Sequence, residues 1–117
     1  MKLYSLIIAG VFWFFATVSV QAQSETAYLE NIQAADQQLL LENFSSAQKL
    51  YNQAKSYAHN ANEKSYVHYK LGTVYLRLNE KLKARQEWKN ALDILDREGD
   101  NSGIRFHLKQ ALANSGM

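Results

Sequence analysis

The segment that decides the fold is KSYVHYKLGTVYLRLNEKLKARQEWKNALDIL, residues 64–95. Apolar residues recur at the spacing 4, 3, 1, 3 in its first half and again in its second half. The two sets are Val67, Leu71, Val74, Tyr75 and Leu78, and Ala84, Trp88, Ala91, Leu92 and Leu95. This spacing places each set on one face of an α-helix. The polar residues around Asn79 predict a short turn, so the two helices should form an antiparallel pair.

Related residues recur along the chain at a period of 37 residues. This period relates Ala47, Tyr51 and Ala54 to Ala84, Trp88 and Ala91, and Leu71 and Tyr75 to Leu108 and Leu112. Stacked repeats require one period that joins first helices to first helices and second helices to second helices. The first helix fits less well, because the same shift places Gln37 and Gln38 on apolar positions. We therefore expect this helix to be slipped by about two residues or imperfectly packed.

The central segment resembles the tetratricopeptide repeat (TPR), whose signature runs roughly W-x2-L-G-x2-Y, then A-x3-F, then P. The matching residues are Leu71, Gly72, Tyr75, Ala84, Trp88 and Ala91. His68 replaces the opening aromatic residue, and no proline follows. The resemblance implies an all-α, TPR-like α-solenoid of two antiparallel helix pairs plus a C-terminal capping helix. The residues it assigns to repeat packing are Ala47, Tyr51, Ala54, Leu71, Gly72, Tyr75, Ala84, Trp88, Ala91 and Leu108.

The rest of the chain also favours helices, because it has no proline and no alternating apolar pattern. The predicted helices are Ser24–Leu41, Phe44–Ala58, one from Glu63, one through Lys81–Leu95 and Ile104–Asn114, with a loop at Glu98–Gly103. The repeat units would cover residues 24–58 and 63–97, and the capping helix residues 104–114. Asn43 and Asn62 are predicted N-caps, since an asparagine side chain can accept from unpaired amides.

Residues 1–22 have the pattern of a signal peptide. A basic start is followed by the apolar run Leu6–Val20 and by Val20-Gln21-Ala22, a small-x-small cleavage pattern. Cleavage after Ala22 would leave residues 23–117 as one exported domain, in the bacterial periplasm or secreted. The alternative is a retained anchor, because Leu3–Ala22 is long enough to span a bilayer.

Composition narrows the classes of function. The chain has no cysteine, which excludes disulfides, thiolate metal sites and thiol-linked lipids. Its formal net charge of +2 is too close to neutral to favour a nucleic-acid partner. The three histidines form no HxxxH or HExxH pair. We therefore expect a protein that is not an enzyme and that has no metal and no cofactor.

The TPR resemblance implies a non-catalytic protein–protein interaction module that holds a protein or peptide in a groove lined by the first helices. The predicted groove residues are Tyr66, Tyr69, Lys70, Thr73, Arg77, Phe106, His107 and Gln110. Rings would supply contact area, and Lys70 and Arg77 would bind acidic groups. The carboxylate clamp of some TPR domains is incomplete here, since the first helix offers Gln33 and Asp36 and the last offers His107.

Other hypotheses remain open at this stage. A retained N-terminal segment would make the protein a membrane-tethered assembly factor, and a site hidden between helices would make it a small ligand carrier or hydrolase. Stacked repeats need about three units for independent stability. Two units and a cap therefore suggest a homodimer or a constitutive partner.

Overall fold

The computed structural model describes residues 22–99 and 102–116, in which every regular element is an α-helix. Helix α1 covers residues 22–40, and it is followed by α2 (Phe44–Lys55), α3 (Ala61–Arg77), α4 (Lys81–Glu98) and α5 (Ser102–Asn114). The predicted all-α class is confirmed. The predicted signal peptide falls on residues 1–22, of which 1–21 lie outside the described residues.

Two helical hairpins, α1–α2 and α3–α4, are closed by turns of the same backbone geometry. Glu42 and Asn79, which are 37 residues apart, adopt φ angles of 62° and 63°. In the first turn the amide of Asn43 donates to the carbonyl of Gln38 at 2.9 Å. In the second turn the amide of Glu80 donates to the carbonyl of Tyr75 at 2.8 Å. Both turns are Schellman motifs, in which a left-handed residue ends the helix and its carbonyls are satisfied. The break predicted around Asn79 is therefore present.

The helices pack around two cores that share α3. The first core contains Tyr28, Ile32, Ala35, Ala47, Tyr51, Ala54, Val67, Leu71 and Val74, from α1, α2 and α3. The second contains Ala84, Trp88, Ala91, Leu95 and Leu108, with Tyr69, Tyr75, Leu92, Ile104, Ala111 and Leu112 partly buried against it. A shift of 37 residues carries the α2 stripe onto the α4 stripe and the α3 stripe onto α5. Of the ten predicted packing residues, all except the half-buried Tyr75 are buried.

Gly72 lets α3 and α4 approach closely. A Cβ atom at this position would lie 2.5 Å from Cδ1 and 2.7 Å from Cε2 of Trp88. The indole Nε1 of Trp88 donates to the carbonyl of Tyr69 at 3.1 Å, which fixes the ring across the helix. In the first hairpin, Ala35 and Tyr51 occupy the positions 37 residues before Gly72 and Trp88. Tyr51 is smaller than Trp88, and its partner Ala35 is larger than Gly72, so the first hairpin pairs a smaller ring with a larger residue.

The expected slip of the first helix is wrong, because α1 and α3 end 37 residues apart, at residues 40 and 77. The two helices differ instead in how many faces they bury. Helix α3 packs against α2 on one side and α4 on the other, so both Val67 and Gly72 are buried. In α1 the position that matches Val67 is the exposed Glu30. Helix α1 therefore needs apolar residues on one face only.

Several predicted boundaries and caps require correction. Helix α2 ends at Lys55 and not at Ala58, and α5 begins at Ser102 and not at Ile104. The N-cap of α3 is Asn60 and not Asn62, because the Asn60 side chain accepts the Glu63 amide at 2.8 Å. The side chain of Asn43 makes no cap bond. Its Nδ2 instead donates to the side-chain Oε1 of Gln38 at 2.9 Å. The preceding Schellman turn orients this asparagine towards α1.

Candidate functional site

Aromatic and charged side chains of α1, α3 and α5 form one continuous surface. The residues of this tyrosine–lysine surface are Asp36, Tyr66, Tyr69, Lys70 and His107. The rings of Tyr69 and His107 stack with centroids 6.1 Å apart and planes inclined by 20°. This contact joins α3 to α5, and the Tyr66–Asp36 hydrogen bond joins α3 to α1.

Asp36 anchors the α1 end of the surface. Its carboxylate accepts hydrogen bonds from the phenols of Tyr51 and Tyr66, the second at 3.0 Å. Burial, the hydrogen bond to Asp36 and the negative charge of Asp36 raise the pKa of Tyr51 above its ordinary value. Burial, the charge of Asp36 and the hydrogen bond to it also raise the pKa of Tyr66. Both phenols therefore remain protonated donors at neutral pH, and the bond from the Tyr66 phenol holds its ring against α1.

Lys70 supplies the positive charge of the surface. Its Nζ lies 5.5 Å from the ring centroid of Tyr66 and 6.0 Å from that of Tyr69, which are cation–π distances. Within residues 22–99 and 102–116, no carboxylate lies within ion-pair distance of this amine. Two aromatic rings thus orient a half-buried cation that has no acidic partner among the described residues.

Three further predicted groove residues make none of the contacts that define this surface. The Arg77 guanidinium pairs with Glu42 at 2.8 Å and lies 4.8 Å from the ring centroid of Phe44. It therefore connects the end of α3 to the first turn and the start of α2. The hydroxyl of Thr73 donates back to the Tyr69 carbonyl at 3.2 Å. Gln110 is exposed on α5.

Phe106 lies at the edge of the surface and is 64% exposed. Its ring meets that of His107 edge-on, with centroids 5.7 Å apart and an angle of 73° between the planes. A single exposed apolar side chain is common on protein surfaces, so the contact with His107, and not exposure alone, connects Phe106 to the surface.

Asp36 was considered in the sequence only as a residue that spoils a carboxylate clamp. Its two tyrosine donors come from α2 and α3, 15 and 30 residues away in sequence. The 37-residue period offers one signal, because Asp36 precedes Thr73, a predicted groove residue, by that distance. The period places Asp36 on the groove side of α1, but it does not reveal the phenol pair.

The described residues contain few other candidates for chemistry. Ser24 Oγ lies 2.7 Å from His59 Nε2, but this pair is exposed and ties α1 to the α2–α3 connection. His68 Nδ1 lies 2.5 Å from Glu87 Oε2, between α3 and α4. In residues 22–99 and 102–116, no group of three or more His, Cys, Asp or Glu side chains could hold a metal ion.

Three surface depressions among the described residues share no residue with the tyrosine–lysine surface. The depression on α2 is lined by Ser45, Gln48, Lys49, Asn52, Gln53 and Ser56. Lys49 is its one titratable side chain, so it brings no acid and base together. In the part of the chain that the structure describes, no helix is both long enough and apolar enough to cross a membrane. No family model, curated protein or solved structure matches this chain.

Proposed function

We propose that this chain is a TPR-like binding module that holds an acidic protein or peptide segment on the tyrosine–lysine surface. The observation that carries the proposal is Lys70, a cation held between two rings with no carboxylate partner among the described residues. Lysine side chains are seldom fully buried unless they are paired, and a ligand lying on this surface would bury Lys70 further. A carboxylate of the ligand would complete this pair.

The TPR assignment is supported by the agreement between sequence period and backbone geometry. Two turns with left-handed residues 37 positions apart, and two cores related by the same shift, are what repeated helical hairpins would give. A repeat array places its first helices side by side, and α1, α3 and α5 are the helices that contribute the surface. The proposed α-solenoid therefore accounts for both the packing and the position of Lys70.

The chemistry of the surface indicates what a ligand would contain. Lys70 favours a carboxylate, and the stacked rings of Tyr69 and His107 offer a flat apolar area beside it. Asp36 accepts from two phenols, so it presents less unpaired negative charge to a ligand than a free carboxylate would. We infer that the ligand has an acidic side chain next to an aromatic or aliphatic one.

The location of this module is proposed from the N-terminal pattern. Cleavage after Ala22 would release it into the periplasm or the medium, and a retained segment would tether it as an assembly factor. Mass spectrometry of the mature protein distinguishes the two, because a chain that begins at Gln23 has been cleaved. The proposed role is non-catalytic in either location.

Affinity purification with crosslinking from an envelope extract tests the function. The test variant carries Lys70→Glu and His107→Ala, which reverse the charge and remove the stacked ring without emptying a core. The matched control is Lys49→Glu, which reverses an exposed lysine on α2. We expect partners recovered with the wild type and the control to be lost from the double variant. A set of partners unchanged by the double variant would contradict the proposal.

A further inference from the structure

Helix α5 is placed as the first helix of a third unit. Gln48 on α2 donates to the Tyr75 hydroxyl of α3 at 3.4 Å. Its counterpart 37 residues later, Arg85 on α4, donates to the Leu112 carbonyl of α5 at 2.9 Å. Leu108, the counterpart of Leu71, is fully buried in the second core. Helix α5 therefore packs on α4 as α3 packs on α2.

In both hairpins the opposite face of the first helix is covered by a second helix. On α1 this face contains Ile32, Ala35 and Leu39, which are buried or partly buried in the first core. On α3 the face contains Gly72, which contacts the Trp88 ring of α4. The matching residues on α3 are Tyr69, Gly72 and Leu76, of which Gly72 is buried, Tyr69 is partly buried and Leu76 is 38% exposed, so the following helix covers the middle of this face.

The same face of α5 is open. Two successive shifts of 37 residues carry Ile32, Ala35 and Leu39 onto Phe106, Lys109 and Ala113. All three residues are exposed, and Phe106 is 64% exposed where Ile32 is 8% exposed. No described helix of the chain covers this open face of α5. It presents the Phe106 ring, the Lys109 cation and the small Ala113 at the spacing 3, 4 along one side of the helix.

We infer that the open face of α5 binds an amphipathic helix of a partner protein, in the place that α2 and α4 take in the two hairpins. Helices α2 and α4 show the pattern of such a helix. Each has an alanine, then a central aromatic residue, then an alanine, at the spacing 4, 3. The central residue must differ from Tyr51 and Trp88, however. Lys109 occupies the position of Gly72, so its side chain fills the space that a large ring would need.

An acidic central residue suits this position, because a carboxylate there can pair with the Lys109 amine while its neighbours pack on Phe106. A second copy of this chain is a poor occupant. The stripes that would fit, on α2 and α4, are buried within their own hairpins, where Tyr51 is 0% and Trp88 is 2% exposed. A second copy would have to open a hairpin to offer either stripe.

Two synthetic peptides test the inference, both with the sequence of residues 81–98. One carries Trp88→Glu and the other Trp88→Lys, so that they differ only in the charge that would face Lys109. Fluorescence anisotropy of the labelled peptides measures their binding to the full protein. We expect the Glu peptide to bind about tenfold more tightly than the Lys peptide. The variant Lys109→Glu should reverse this preference.

Variants of the protein locate the binding surface. Phe106→Asp should weaken binding of the Glu peptide about tenfold or more, since it removes the main apolar contact. Leu82→Asp, at a leucine that is 75% exposed elsewhere on the molecule, is the matched control and should leave binding unchanged. Circular dichroism checks that both variants remain folded.

Three results would overturn the inference. The first is a wild-type protein that does not bind the Glu peptide, and the second is binding that Phe106→Asp leaves unchanged. The third is a wild-type dimer, seen by sedimentation, that Phe106→Asp dissociates, because the face would then belong to a second copy. None of these results depends on Lys70, so failure here is distinguishable from failure of the proposed function.

Discussion

Replacing Gly72 with alanine tests the packing of the second hairpin. A methyl group at this position would meet Cδ1 and Cε2 of Trp88 at 2.5 and 2.7 Å, well inside van der Waals contact. Trp88 is 2% exposed and its Nε1 is bonded to the Tyr69 carbonyl, so the ring cannot move aside without losing contacts. Alanine in place of glycine would stabilise an isolated helix by about 1 kcal/mol. The sign of the change therefore reports whether the ring lies against this glycine.

The expected result is a net loss of stability. Overpacking a filled core costs about 1–3 kcal/mol, and the lost indole hydrogen bond costs about 1 kcal/mol more. After the gain in helix propensity, Gly72→Ala should lower the free energy of unfolding by about 1–3 kcal/mol. Urea denaturation followed by circular dichroism measures this change. The melting temperature should fall by roughly 4–8 °C for each kcal/mol lost.

The first hairpin suggests the matched control. It contains Ala35 and Tyr51 at the positions of Gly72 and Trp88. In a Trp88→Tyr background, Gly72→Ala recreates that pair and should cost about 1–2 kcal/mol less than it does in the wild type. Two outcomes would contradict close packing of Gly72 against the Trp88 ring. One is that Gly72→Ala stabilises the wild type, and the other is that its effect is the same in both backgrounds.

Three further predictions concern Tyr28, the turn residue Asn79 and the exposed Arg77–Glu42 ion pair. Burial, followed by the charges of Glu63 and Asp36, raises the pKa of Tyr28 to about 12. An unfolded phenol ionises near pH 10, so the stability that protonated Tyr28 contributes should be fully present below about pH 10 and should be lost between about pH 10 and pH 12. Urea titrations at about pH 9 and pH 11 measure how much the free energy of unfolding falls between these two pH values, and Tyr28→Phe should reduce this fall. An equal fall in the wild type and in Tyr28→Phe would contradict the prediction. Asn79→Gly should raise stability by roughly 0.5–1 kcal/mol in thermal unfolding, because glycine adopts the φ of 63° without strain; a loss would argue against the left-handed turn. Arg77→Ala should lower the free energy of unfolding by about 0–1 kcal/mol in urea denaturation, because the side chains of the Arg77–Glu42 pair are 50% and 68% exposed. It should leave partner capture intact, because this pair lies outside the tyrosine–lysine surface. Loss of capture would place Arg77 in the binding site.

Much of the fold follows from local pattern. The stripes on α2 and α4 repeat small and aromatic residues at one spacing, and burial of Tyr51 and Trp88 confirms both. The position of Gly72 in the repeat signature also indicated close packing, and the contact with Trp88 explains it. The predicted slip of α1 was wrong because the pattern of α1 records only one buried face. Periodicity reports the number of neighbours a helix has as well as its register.

Caps and surface contacts were harder to predict. Asn60 and Asn62 are both good N-cap residues, and the choice between them depends on how the chain leaves α2. The Asp36 network requires that Tyr51 and Tyr66 approach from two other helices, which no local pattern records. Arg77 has the spacing of a groove residue, but the nearby turn supplies Glu42 as its partner. Such details depend on tertiary contacts between distant segments.

Hydrogen–deuterium exchange of the captured complex shows directly whether a partner binds to the tyrosine–lysine surface. A partner bound on the tyrosine–lysine surface should slow exchange in α3 around residues 66–73 and in α5 around residues 106–110. The outer faces of α2 and α4 should exchange as they do in the free protein. Protection confined to α2 and α4, with α3 and α5 unchanged, would show that the partner binds elsewhere and that the tyrosine–lysine surface is not the binding site.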